Sequence, residues 1–187
     1  MDTNHRQWNQ GQQNLRRALS AGNHQKAIEL FMIQHAMVHS AKVSKAKLWS
    51  FEDEVLNDIT NDHVRCVPAG GEHSIAWILF HLARIEDITM NILVARAPQL
   101  FVRDDWGKKL KVALLHSANS MDDTGVATLS AQVDIDALRA YRQSVGRRTR
   151  EIVRKPGEFK QKPEASRLQK IMDEGALLPE AIGILNY

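Results

Sequence analysis

The chain is poor in the residues that staple or punctuate a fold. A single cysteine, Cys66, excludes an internal disulfide and fits a reducing compartment. With only 5 prolines and 10 glycines in 187 residues, a loop-rich all-β design is excluded. The opening stretch MDTNHRQWNQGQQNLRRALS has no apolar centre of signal-peptide length. The longest strongly apolar uncharged run, Ser74 to Ala83, is about half of the roughly 20 residues that a membrane-spanning helix needs. Gly-rich phosphate loops, nucleophile elbows and paired-cysteine zinc patterns are all missing. These absences lead us to expect a cytoplasmic, soluble protein with no membrane partner.

What remains is an ordinary globular balance, 43% hydrophobic and 25% charged, and long enough for one domain with a sizeable core. Residues 1–187 are expected to form that single domain. Helical spacing dominates and no alternating strand stands out. The spacing predicts a helix over Gln12–Leu19, stopped by Gly22-Asn23, and a second from His24 to Lys47 with Ile28, Met32, His35, His39 and Val43 on one stripe. A third starts after Ser50 with a capping-box pattern and fades near Asp62. Ser74 opens the most apolar helix, which Ala97-Pro98 ends. A short helix is expected from Trp106 to Ser117, with NSMDDTG as a loop. Asp134 caps a helix reaching Lys155, with Leu138, Tyr141, Val145 and Ile152 on one face. A last helix begins near Pro163-Glu164 and ends before Gly175. Long helices joined by irregular loops make an all-α, up-and-down four-helix bundle with additional short helices.

The most hydrophobic helix carries a histidine at its centre. On a helical wheel, Trp77, Ile78, Ile85, Ile88 and Ile92 fall within about 60 degrees of His81, which turns its imidazole toward the core. A buried imidazole needs partners, because unpaired nitrogens cost roughly 1–3 kcal/mol. For a lone histidine the plainer account is a neighbouring carbonyl or carboxylate. His35 and His39, four apart on one stripe, have the spacing with which two imidazoles reach one cation, and a third histidine from a facing helix would leave an open position for chemistry. That spacing also arises by chance, so a core-lining pair bound to backbone or water stays open. His5, His24, His63 and His116 read as surface residues, and His73 as a capping or loop residue.

The segment EHSIAWILFHLARIEDITMNILVA, with QHAMVHS upstream and DIDALRAYRQSVGRRTREIV downstream, resembles the DinB/YfiT-like superfamily, metal-dependent four-helix bundles of bacteria. The likeness runs over roughly residues 25 to 187 and is most specific at S-x-x-W-x-x-x-H-x-x-R-x-E-D, Ser74 to Asp87. It implies a DinB-like bundle in which His81 ligates a divalent metal such as zinc, nickel or manganese. It also implies an enzyme acting on a small molecule by thiol transfer or hydrolysis, and a homodimer. The family's other two ligands are a histidine pair on a late helix, whereas no histidine follows His116 here. The apolar ending LLPEAIGILNY reads as the start of a further helix, so the chain is expected to continue naturally; His35 and His39 are the alternative ligands.

Two other features have a plainer and a sharper reading. Arg84, about 60 degrees from His81, could bind an anionic substrate, but a structural ion pair is the commoner role. Glu86 and Asp87 turn away from His81 on the wheel. The basic run RAYRQSVGRRTREIVRKPGEFKQK could meet phosphates, but a solvated helix face is the expected account, with no nucleic-acid partner. The rival to a metal enzyme is a non-catalytic bundle serving dimerisation or nucleic-acid contact.

Overall fold

A computed structural model describes residues 2–155 and 165–177. Among the described residues there are eleven α-helices, one π-helix and no strand, as the helical spacing led us to expect. None of these helices is long and apolar enough to cross a membrane. The chain forms two compact units, Met1–Asp58 with Val153–Lys155 and Ile59–Ile152 with Pro156–Tyr187.

In the first unit, α1 (Thr3–Ser20) starts well before Gln12, because Asp2 accepts a hydrogen bond from the Asn4 amide and caps the helix. It ends where expected. Gly22 takes φ +67°, and the Asn23 amide reaches back to the Ala18 carbonyl. Asn23 then caps α2 (His24–Val38). The two helices approach closely at Gly11, where a Cβ would lie 1.9 Å from the Gln34 Nε2. The Gln34 side chain also accepts from Gln12 at 3.1 Å.

Contrary to the expected run to Lys47, α2 stops at His39, which is extended at φ −88°, ψ 158°. Local side chains offer the backbone other partners at this point. Ser40 caps the Lys42 amide, opening α3 (Ala41–Ser44), and Asp53 accepts from the Ala41 amide at 2.8 Å. Ser50 does cap a helix, α4 (Phe51–Val55), accepting from the Asp53 amide at 3.0 Å.

In the second unit, α5 (Asn61–Arg65) is capped by Thr60, so the single helix expected from Ser50 to Asp62 is in fact two short ones. The Ser74 hydroxyl accepts from the Trp77 amide at 3.0 Å and opens α6 (Ile75–Asp87). From Ile88 to Ala95 the chain winds as a π-helix. There the Asn91 amide side chain donates to the Asp87 carbonyl at 3.2 Å, the acceptor that an α-helix would reserve for the Asn91 N–H.

Two short helices, α7 (Leu100–Arg103) and α8 (Trp106–Leu110), follow. The second stops at Lys111, φ +60°, rather than at Ser117. The stretch NSMDDTG is not all loop. Asp122 accepts from the Gly125 amide at 2.7 Å and starts α9 (Asp123–Gln132) inside it. Asp134 caps α10 (Ile135–Arg154) as expected. Leu138, Tyr141, Val145 and Ile152 are all buried. Finally, α11 (Ala165–Asp173) ends at Gly175 with the paired bonds of a Schellman turn, Gly175 to Met172 and Ala176 to Ile171. Ile171 and Ala176 then pack with Ile88 and Ile92 of the π-helix. The expected start near Pro163-Glu164 and the apolar ending beyond Leu177 lie outside the described residues.

Candidate metal centre

His35 and His39 close α2. Both are buried, and their rings stack at 4.2 Å between centroids and 22° between planes. Phe31 lies against His35 at 5.5 Å. The extended backbone at His39 does not separate the pair, since the His39 amide still bonds the His35 carbonyl at 3.1 Å. A ring nitrogen of each comes within 4.8 Å of the other, whereas two nitrogens on one tetrahedral zinc sit about 3.4 Å apart, given Zn–N bonds of about 2.0–2.1 Å. Ser50 steadies the pair from behind, donating to the His39 carbonyl at 2.9 Å while capping α4. Stacked imidazoles with a ring nitrogen of each close to the other could hold a metal ion.

His81 differs from the wheel's expectation. It is half-buried, and Ile78 and Ile85 beside it are 42% and 41% exposed. The buried residues of α6 are Ala76, Trp77, Leu79, Phe80, Ala83, Arg84 and Asp87, so of its wheel neighbours on this helix only Trp77 is buried. A polar network draws the helix axis toward Arg84 and Asp87, and this leaves His81 at the edge of the core. Its Nδ1 lies 2.7 Å from the Ser117 carbonyl oxygen. That bond sets Nδ1 as the donor and leaves the lone pair on Nε2, the tautomer of a histidine ready to ligate a metal. The ring stacks on Trp77 at 4.6 Å, and Trp77 in turn meets His73 at 3.7 Å.

Arg84 and Asp87 carry a structural role. Neither is exposed, and they pair at 3.5 Å. Arg84 also donates to Gln99 at 2.7 Å and to the Leu115 carbonyl, and lies over the Phe101 ring at 4.1 Å. Asp87 accepts from the amides of Leu100 and Phe101 at 2.9 and 2.8 Å, from the Tyr141 hydroxyl at 2.7 Å and from the Asn91 side chain at 2.7 Å. One carboxylate thereby starts α7 and ties it to α6 and α10. Burial pushes the Tyr141 phenol well above its ordinary pKa, so it stays a donor. Burial, then the charge of Arg84, holds the His116 imidazole below its usual value.

Glu86, which points away from this network, is half-buried and accepts from the Thr149 hydroxyl at 2.6 Å. The basic run is not one solvated face. Arg142 and Arg150 are buried, and Arg148 donates to Asn91 at 3.2 Å while pairing with Glu151.

A family model described as the DinB superfamily matches residues 49–173, more than half of the chain. The chain belongs to the DinB superfamily. Its all-helical architecture agrees with the DinB-like bundle expected from the sequence. The match takes in the whole Ser74–Asp87 pattern with His81, Arg84, Glu86 and Asp87, while His35 and His39 lie upstream of it. No curated protein sequence matches the chain.

Several positions of the DinB pattern have a physical reason here. Ser74 caps the helix, Trp77 stacks on His81, and Arg84 with Asp87 builds the buried network. Sequence reasoning set Glu86 aside because it turns away from His81 on the wheel. A half-buried carboxylate held by a hydroxyl is the signal it lacked, since Thr149 is 63 residues away.

Proposed function

We propose that this DinB protein is a metal-dependent enzyme acting on a small molecule, with His35 and His39 as two ligands of a divalent cation. The stacked, buried histidine pair at the end of α2 carries this reading. His35 and His39 offer two imidazole nitrogens, the pair that one carboxylate completes in some hydrolytic zinc sites. His81, the histidine of the family-matched stretch, is the other candidate, supported by the carbonyl that sets its tautomer. When bound, the metal supplies Lewis acidity, lowering the pKa of a coordinated water or thiol for hydrolysis or thiol transfer. The chain's own residues position it. Ser50 holds the His39 backbone, Thr149 orients Glu86, and Ser117 fixes the His81 ring.

Elemental analysis after loading with zinc, nickel and manganese in turn tests the reading. The His35→Ala/His39→Ala double variant should lose the bound ion that the wild type retains. Glu86→Gln and His81→Ala, measured separately, identify the further ligand by a drop of 10-fold or more in affinity. A folded double variant with unchanged metal stoichiometry would sink the proposal. We also propose the homodimer that the family resemblance implies, with Ile78 and Leu82 of α6, 42% and 45% exposed, at the contact.

A further inference from the structure

Between α8 and α9, residues 115–118 form a turn that the fold holds from two sides. The Leu115 carbonyl accepts from Arg84 and the Ser117 carbonyl from His81, both on α6. The Ser117 amide donates to the Ala176 carbonyl, just past α11, at 3.0 Å. Ser117 and Ala118 are fully buried, and Ala118 takes φ +63°, a left-handed conformation that residues other than glycine seldom adopt. His116 closes this turn from within. Its Nδ1 accepts from the Ala118 amide at 3.0 Å, the reach over two residues that Asn and Asp side chains make in turns. An imidazole accepts only while it is neutral. A second proton would make both of its nitrogens donors and set one against the Ala118 N–H. His116 is half-buried, so water can deliver that proton, while burial, then the charge of Arg84, resists it. The other charged groups on the elements that hold the turn are engaged: Asp87 pairs with Arg84, and Glu174 accepts from Gln99 at 2.6 Å and pairs with Lys170. His81 keeps its bond in either state, because its Nδ1 donates whether the ring is neutral or charged.

We propose that His116 is a pH-sensitive latch: neutral, it closes the 115–118 turn, and protonated, it releases Ala118 and with it the Ser117 contacts to His81 and Ala176. A group whose folded form resists the proton contributes stability that is complete above the ordinary histidine pKa of about 6.5. That stability is lost as pH falls from there through the lowered folded value. Acid therefore opens the turn and frees the His81 ring. Any consequence for metal ligation by His81 rests on the metal-enzyme reading above; the latch itself does not.

Amide hydrogen exchange of the full-length protein, read by NMR with a chelator present, tests the latch apart from the fate of the metal site. Between pH 7.5 and 5.5 the protection factors at Ser117 and Ala118 should fall several-fold. The limit is about tenfold, set by a histidine pKa of about 6.5 in the opened turn. His116→Asn, whose side-chain oxygen makes the same reach without titrating, should hold the protection equal at the two pH values. His116→Ala should lose it at both. The wild type supplies a second test that needs no variant: its His116 ring protons should titrate below 6.5, and the loss of protection should level off where they do. Wild-type protection that is the same at both pH values, an equal fall in His116→Asn, or a His116 ring that titrates at or above 6.5 overturns the proposal.

Discussion

At the scale of single residues, Asp87 does more for this fold than any motif reading indicated. It accepts from two helix-starting amides, a phenol and a carboxamide, and it faces a fully buried guanidinium. Replacing a partner of such a pair leaves a buried charge uncompensated, at a cost of about 3–5 kcal/mol. Asp87→Ala should therefore lower unfolding stability in urea by about that amount. Asp87→Asn, which can still accept hydrogen bonds, should lose less. Equal, small losses in both would show that solvent or rearrangement makes up for the charge. The structural pairing expected for Arg84 is what the fold contains, yet its partners Gln99, Leu115 and Tyr141 lie 15 to 57 residues away. Only the Asp87 bond spans less than one helical turn, and the sequence alone named no partner for the pair.

At the scale of elements, caps were the readable part and interruptions were not. Ser50, Ser74 and Asp134 start helices as their sequence contexts indicate, because a cap is a bond to an amide two or three residues away. The break at His39 and the π-helix after Asp87 depend on more distant groups or on competition with the helix ladder. These include Asp53 on the Ala41 amide, Ser50 on the His39 carbonyl and Asn91 on the Asp87 carbonyl. Ser50 joins both kinds of interaction, so Ser50→Ala should have two effects. Loss of the α4 cap should destabilise the protein by about 0.5–2 kcal/mol, read from thermal or chemical unfolding. Release of the His39 backbone should also weaken zinc binding, read by competition with a chromophoric chelator. A destabilised variant with wild-type zinc affinity would show that Ser50 acts on the fold alone.

At the scale of the whole molecule, the proposed homodimer predicts that light scattering of the wild type reports twice the chain mass of 21.2 kDa. Leu82→Asp, on an exposed position of α6, should give a folded monomer, whereas a wild-type monomer at micromolar concentration would remove the idea. The all-α class, the capped starts of the main helices and the buried stripe of α10 were determined by the sequence, since each depends on periodicity or on a bond within one turn. The grouping of His35 with His39 was legible for the same reason, as residues four apart share a helix face. Tertiary structure decided what each polar side chain does. The wheel put His81 in the core, but a helix rotates to satisfy its costliest buried charges. The Arg84–Asp87 network therefore took the core face and left His81 at its edge, held by a carbonyl 36 residues away. Periodicity shows which residues share a face; only packing in three dimensions decides which face is buried and which atoms meet there.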